Sequence, residues 1–151
     1  ANGEARTYGS SGFDDRRATI PKADQIHHKR ELEKGFYDAQ AVRAGNTLYV
    51  SGCVSWDATG KVIGEGDMRA QVAAVYTDLK ETLAAHGATF VHVVKENVFT
   101  TDMEALESHN DLRIKFYNDD GSAPPASTWI GCTCLAVPGL LLEVECIAVL
   151  G

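Results

Sequence analysis

The strongest periodic signal runs from Met68 to Ala85. Met68, Val72, Val75, Tyr76, Leu79 and Leu83 recur there at helical spacing and make one apolar stripe. Asp67 is placed to cap this helix and Gly87 to stop it. Upstream, two extended runs, 41–43 and 47–51, flank Gly45-Asn46, a pattern that predicts a hairpin. Leu48 and Val50 would share one face, and Thr47, Tyr49 and Ser51 the other. Gly52 then lets the strand break or bulge, and residues 57–60 (Asp-Ala-Thr-Gly) have turn composition. Downstream the chain predicts a strand over 93–101 and a helix over 103–117 capped by Asp102. Two further strands follow, over 127–135 and 140–149, joined at Val137-Pro138-Gly139. The second helix carries the stripe Met103, Leu106, Asn110, Ile114 and Tyr117. Asn110 interrupts it, and a buried amide without a partner costs about 1–3 kcal/mol. This amide reads equally as a loop contact or as a group facing a ligand.

The last strand carries an unusual face. Leu141, Glu143, Glu145, Ile147 and Val149 alternate onto one side, and Leu142, Val144, Cys146 and Ala148 onto the other. Two carboxylates between apolar ends mark either a solvated face or a pair of acids in a partly dry site, where carboxyl pKa values rise. The element order β-β-α-β-α-β-β predicts an α+β fold, a mixed β-sheet with two helices packed on one face. The other face would bear Tyr49, Ser51, Trp129 and the glutamates. A face with that much apolar surface is seldom left to water. An oligomer packed sheet to sheet, with a ligand site between subunits, is therefore expected.

Residues 1–34 are polar and lack a sustained period. They read as an N-terminal extension, partly flexible, with one short helix through 27–34, ahead of a domain over 35–151. The adjacent pair His27-His28 shares no face in regular structure, so no metal site is expected. At 151 residues with a formal net charge of -7, the chain has the size of one domain and an acidic surface. That surface opposes non-specific nucleic-acid or anionic-membrane binding. No apolar run reaches the roughly 20 residues of a membrane span, and no signal peptide is visible, so a cytoplasmic protein is expected. The four cysteines, Cys53, Cys132, Cys134 and Cys146, form no C-x-x-C pair and read as reduced thiols.

Four segments then point one way: AQAVRAGNTLYVSG (39–52), HGATFVHVVKENVFTTDM (86–103), PAST (125–128) and LLLEVECIAVL (140–150). In their order and spacing the chain resembles the RidA/YjgF family of reactive-intermediate deaminases. The resemblance implies a chorismate-mutase-like (YjgF-like) fold in a trimeric, barrel-like assembly, with sites in clefts between subunits. It also implies hydrolysis of 2-imino or 2-enamino acids to 2-oxo acids and ammonia, without a cofactor. Matched position by position, Glu145 would orient the attacking water. Ser51 and Asn110 would contact substrate, with Tyr37, or Asp38 after a one-residue shift, near the start of the fold. Ser127 stands where the deaminating branches carry a carboxylate-binding arginine, and a serine cannot supply that bidentate, charge-assisted pair. A wall of Ser127 and Trp129 would suit a less charged or aromatic-like substrate.

The function that follows is a deaminase of a small-molecule imine or enamine other than a simple 2-imino acid. Glu145 would act on water, and Glu143 beside it would raise the pKa of Glu145. Two alternatives share the cleft: a different hydrolytic reaction with Cys53 or Cys132 as nucleophile, and a non-catalytic small-molecule-binding protein. Ribonuclease activity, also attached to the family, is opposed by the acidic charge.

Overall fold

The computed structural model describes residues 24–26 and 30–151. The pair His27-His28 and most of the N-terminal extension lie outside the described residues. The elements are β1 (Asp24–Ile26), α1 (Glu31–Phe36), β2 (Ala41–Ala44), β3 (Thr47–Val54), α2 (Met68–Ala85), a 3-10 turn (Phe90–His92), β4 (Val93–Thr100), α3 (Met103–Ser108), α4 (Asn110–Asp119), β5 (Ala126–Gly131) and β6 (Leu142–Val149). The strands form one mixed six-stranded sheet in the order β1-β2-β3-β6-β4-β5. Only the β4–β5 pair is parallel. Among the described residues no helix is long and apolar enough to cross a membrane.

α2, α3 and α4 cover one sheet face, as the α+β pattern predicts. Every residue of the α2 stripe is buried, against Leu48, Val50, Val98, Leu142, Val144 and Ala148 of the sheet. The Asp67 carboxylate accepts from the backbone N–H of Ala70, the expected N-cap contact. The predicted second helix differs from expectation. The chain breaks at His109 into α3 and α4, and Ile114 is exposed. Tyr117 is buried, while Leu112 and Phe116 pack on the core in the place of the predicted stripe residue. Asn110 thus opens α4 rather than interrupting an apolar stripe.

One charged residue lies in this core. Glu96 on β4 is fully buried on the helix-covered face. Its Oε2 accepts from Tyr76 Oη at 3.2 Å and Tyr117 Oη at 2.8 Å. Its Oε1 accepts from Arg113 Nε at 2.6 Å, from Arg113 Nη2, and from Ser127 Oγ at 2.9 Å. Burial and Glu96 together hold both tyrosine hydroxyls far above their ordinary pKa. The Arg113 guanidinium also lies over the rings of Tyr117 (5.3 Å) and Trp129 (5.7 Å). α2, α4, β4 and β5 are therefore joined through one carboxylate.

Removing one partner of a buried ion pair costs about 3–5 kcal/mol, because the other charge is left uncompensated. Arg113→Leu is expected to lower the urea midpoint accordingly. Arg113→Lys is expected to recover only part, lacking the fork that reaches Oε1 with two N–H groups. Equal midpoints for wild type and Arg113→Leu would show that the pair contributes nothing.

Candidate functional site

The sheet face away from the helices carries the two glutamates, as the alternation along β6 predicts. Asn97 on β4 lies opposite Glu145 in register, and its Nδ2 donates to Glu145 Oε1 at 2.8 Å. Glu145 lines an open cavity of about 300 Å³ with Tyr49, Ser51, Lys95, Asn97 and Ile147. Lys95 Nζ donates to Thr128 Oγ1 at 2.8 Å. One oxygen of Glu145 is thus fixed by an amide, and a carboxylate held in that way can orient a water at its remaining lone pairs.

Glu143 lines a second cavity of about 210 Å³ with Phe36, Asp38, Val54, Trp56 and Leu140. Ser51 borders both cavities, so the two meet on this face. The rings of Phe36 and Trp56 stack at 6.5 Å, and Arg30 lies over Trp56 while binding both oxygens of Asp78 on α2 (3.2 and 2.8 Å). The N-terminal helix is thereby fixed as a wall of the cavity. Burial, and then the charge of Glu145, push the Glu143 carboxyl above its ordinary pKa.

A β-bulge explains both cavities. In the β3–β6 ladder Val50 faces Cys146 and Cys53 faces Val144, so three steps on β3 match two on β6. Ser51 stays on the outer face, with its N–H and Oγ both bound to carbonyls of the chain at Gln40 and Ala39. Gly52 lies directly beneath Glu143, and a Cβ there would sit 1.8 Å from Glu143 Oε1. Beyond the bulge Cys53 turns inward. Expected at the cleft, it is instead buried in the core, where Gln40 Nε2 donates to its sulfur and burial raises its thiol pKa well above normal. Cys132 lies past the end of β5, its thiol directed to the Thr100 carbonyl, and it lines neither cavity.

The other expected residues divide by face. Ser127 and Trp129 do share a face, but it is the helix-covered one, because parallel pairing sets Ser127 beside Glu96 and Trp129 beside Val98. Trp129 Nε1 donates to Ser127 Oγ, and the Trp129 ring meets Arg113. Neither stands with Glu145 within one chain. Asn110 is on that same side, its Oδ1 3.5 Å from Arg113 Nη1. Tyr37 caps α1 in a left-handed conformation (φ 60°), is 97% exposed and leaves the cavity wall to its neighbour Asp38. Sequence reasoning missed Asn97, Lys95, Glu96 and Arg113. The signal for the first two was the alternation Lys95, Asn97, Phe99 on the strand facing the glutamates. Among the described residues no group of His, Cys, Asp and Glu is arranged to hold a metal ion.

With this geometry in view, a family model described as Endoribonuclease L-PSP matches residues 30–150. The RutC family protein YjgH of Escherichia coli K12 is 36% identical over 110 residues, covering 72% of this chain and 79% of its own length. A 2-iminobutanoate/2-iminopropanoate deaminase of Dermatophagoides farinae is 30% identical over 112 residues, covering 74% and 84%. The crystal structure of yeast Mmf1 superposes with a TM-score of 0.75 at 26% identity, over 85% of this chain and 99% of that one.

The raised pKa of Glu143 fixes the sign of a stability effect. Between the unfolded value of about 4.3 and the higher folded value, the folded state holds the extra proton, so stability falls as pH rises through that window. Glu143→Gln is expected to remove this increment, gaining on wild type in urea melts as pH increases from 4 to 8. A constant gap across that range would show that the carboxyl is not perturbed.

Proposed function

Because the chain belongs to the endoribonuclease L-PSP family, the group that takes in RutC and YjgF proteins, we propose that it hydrolyses the C–N bond of a reactive imine or enamine, giving a carbonyl compound and ammonia. The observation that carries this reading is the Glu145–Asn97 contact on the floor of an open cavity. It is the arrangement needed to place a water and accept its proton. The deaminase name of the mite relative supports the same reaction class. No cofactor is called for, since imine carbon is already electrophilic.

The site is proposed to be completed by a second copy of the chain, in a homotrimer. Tyr49 (50% exposed) lines this cavity and Val149 (40%) lies two residues along β6 from Ile147, both on the sheet face opposite α2. Asn110, Ser127 and Trp129 lie on the opposite face of their own chain, so each would reach a cleft only from a neighbouring copy. Residues 35–151 then form the working domain, with α1, which straddles its start, supplying a wall. Ser127 in place of the family arginine leaves no bidentate carboxylate clamp at that position, so the substrate is proposed to be other than a simple 2-imino acid.

Two alternatives are weaker on physical grounds. Cys53 as nucleophile is opposed by its burial and raised pKa, which suppress the thiolate. Endoribonuclease activity, which the description of the family model names, is opposed at the cavities themselves. Glu33, Asp38, Glu143 and Glu145 line them against the single base Lys95, a balance that repels phosphate.

The test is ammonia release from imines generated in place by an oxidase. Glu145→Gln is expected to lower the accelerated rate by roughly 10²–10⁴-fold, the usual worth of general acid–base assistance. Undiminished release by Glu145→Gln would rule the mechanism out.

A further inference from the structure

Hydrolysing an imine needs two proton movements of opposite sense. A water must lose a proton as it attacks carbon, and the nitrogen must gain one before it can leave. Glu145, fixed by Asn97, suits the first. Glu145 alone does not perform the second.

The second cavity supplies a group for it. Glu143 stands two residues from Glu145 on the same face of β6, about 6.6 Å along the strand, a gap that a C–N unit with a water at one end would fill. The chain makes room for its carboxyl by placing Gly52 directly beneath, and Ser51 joins its cavity to that of Glu145. The wall beyond is aromatic and aliphatic: Phe36, Trp56, Val54 and Leu140. The charged groups bordering this cavity are all acidic, Glu33 and Asp38 from α1 and the turn after it together with Glu143.

We infer that Glu143 is the proton donor of the site, and that the substrate is an apolar imine without a carboxylate, lying across both cavities with its side group against Phe36 and Trp56. This rests on the proposed C–N hydrolysis and names its second acid and its substrate class. The substrate enters as a protonated imine. As the water oxygen bonds to carbon, Glu145 takes a water proton and the C=N π pair moves to nitrogen, giving a neutral carbinolamine. Glu143 gives its proton to that nitrogen. The C–N bond then breaks, and the C=O bond forms as the hydroxyl proton passes to the Glu143 carboxylate, restoring it. Ammonia leaves with the proton held on Glu145, as ammonium. A 2-imino acid would bring its own carboxylate into a cavity whose lining holds acids and no basic group, so the pocket selects against it.

The pH dependence has a definite sign. The charged and titratable groups around Glu143 are Glu145 on its own strand, and from the N-terminal side Asp38 and Glu33, the latter paired with Arg30 at 3.4 Å. Lys95 on β4 stands beyond Glu145, and Ser51 and Gly52 of β3 add no charge. Burial and the neighbouring acid keep the carboxyl protonated to higher pH than usual. Turnover should fall as pH rises through the pKa of Glu143, where the proton donor is lost.

The experiment compares imines made in place from 2-phenylethylamine by an amine oxidase with 2-imino acids made by an amino-acid oxidase. Wild type, Glu143→Gln, Glu143→Asp and Glu145→Gln are each run across the pH range. The expected result is faster release from the phenylethylamine-derived imine. Glu143→Gln should lose about 10²-fold in kcat, with little change in KM, and lose the alkaline limb. Glu143→Asp should keep that limb at a displaced pH. A Glu143→Gln protein with wild-type kcat and alkaline limb, beside an inactive Glu145→Gln, overturns the proton donor and leaves hydrolysis standing. Preference for 2-imino acids overturns the substrate class. Acceleration of no imine overturns the hydrolytic reading and this one with it.

Discussion

Glu96 is the constraint around which the sheet and helices are arranged. A carboxylate buried in this way is tolerable only if its lone pairs are filled and its charge is met. Arg113 and the hydroxyls of Tyr76, Tyr117 and Ser127 do this from α4, α2 and β5 together. The requirement fixes the rotation of α4 about its axis and the face that β5 presents. It therefore decides that Ser127 and Trp129 look toward the helices, which leaves Thr128 and Ile130 to alternate onto the face of the glutamates. A polar network in the core thus sets what the outer face can contain.

The second organising feature is the bulge in β3. One extra residue reverses the alternation between Ser51 and Cys53. It keeps a hydroxyl at the junction of the two cavities, sends a thiol into the core, and places a residue without a side chain under Glu143. The two carboxylates, chemically alike and adjacent on one strand face, thereby occupy different surroundings. One is hydrogen-bonded by an amide beside a lysine-bearing cavity, and the other is half-buried among apolar groups. Separation of this kind is what lets like groups take opposite roles.

Much of the frame was legible from the residues. The stripe of α2, the Gly45-Asn46 hairpin and the alternation of β6 depend on local periodicity, and each stands where its period places it. Glu143 and Glu145 were legible for the same reason. What local pattern cannot show is pairing. The facing of β5 depends on which partner strand it lies beside, and a parallel neighbour was not deducible from Ser127-Thr128-Trp129 alone. Gly52 announced a break, but only the ladder with β6 shows that the break returns Cys53 to the core. The division at His109 depends on Arg113 and Tyr117 reaching Glu96, a contact 17 and 21 residues away in sequence. Asn97 was passed over because the alternation of Lys95, Asn97 and Phe99 points to a site only once Glu145 is known to lie opposite.

The close approach of Gly52 to Glu143 also bears on how such a chain can change by descent. A side chain at position 52 would displace the Glu143 carboxylate from the place it holds above the glycine, whereas shortening position 143 first removes the conflict. The two substitutions are therefore not interchangeable in order. A lineage that abandons the acid and then the glycine disturbs nothing on the way, but the reverse route first drives the carboxylate out of its seat. Chains that have kept the glycine retain the seat for the acid, and those that have filled the position must hold a carboxylate elsewhere.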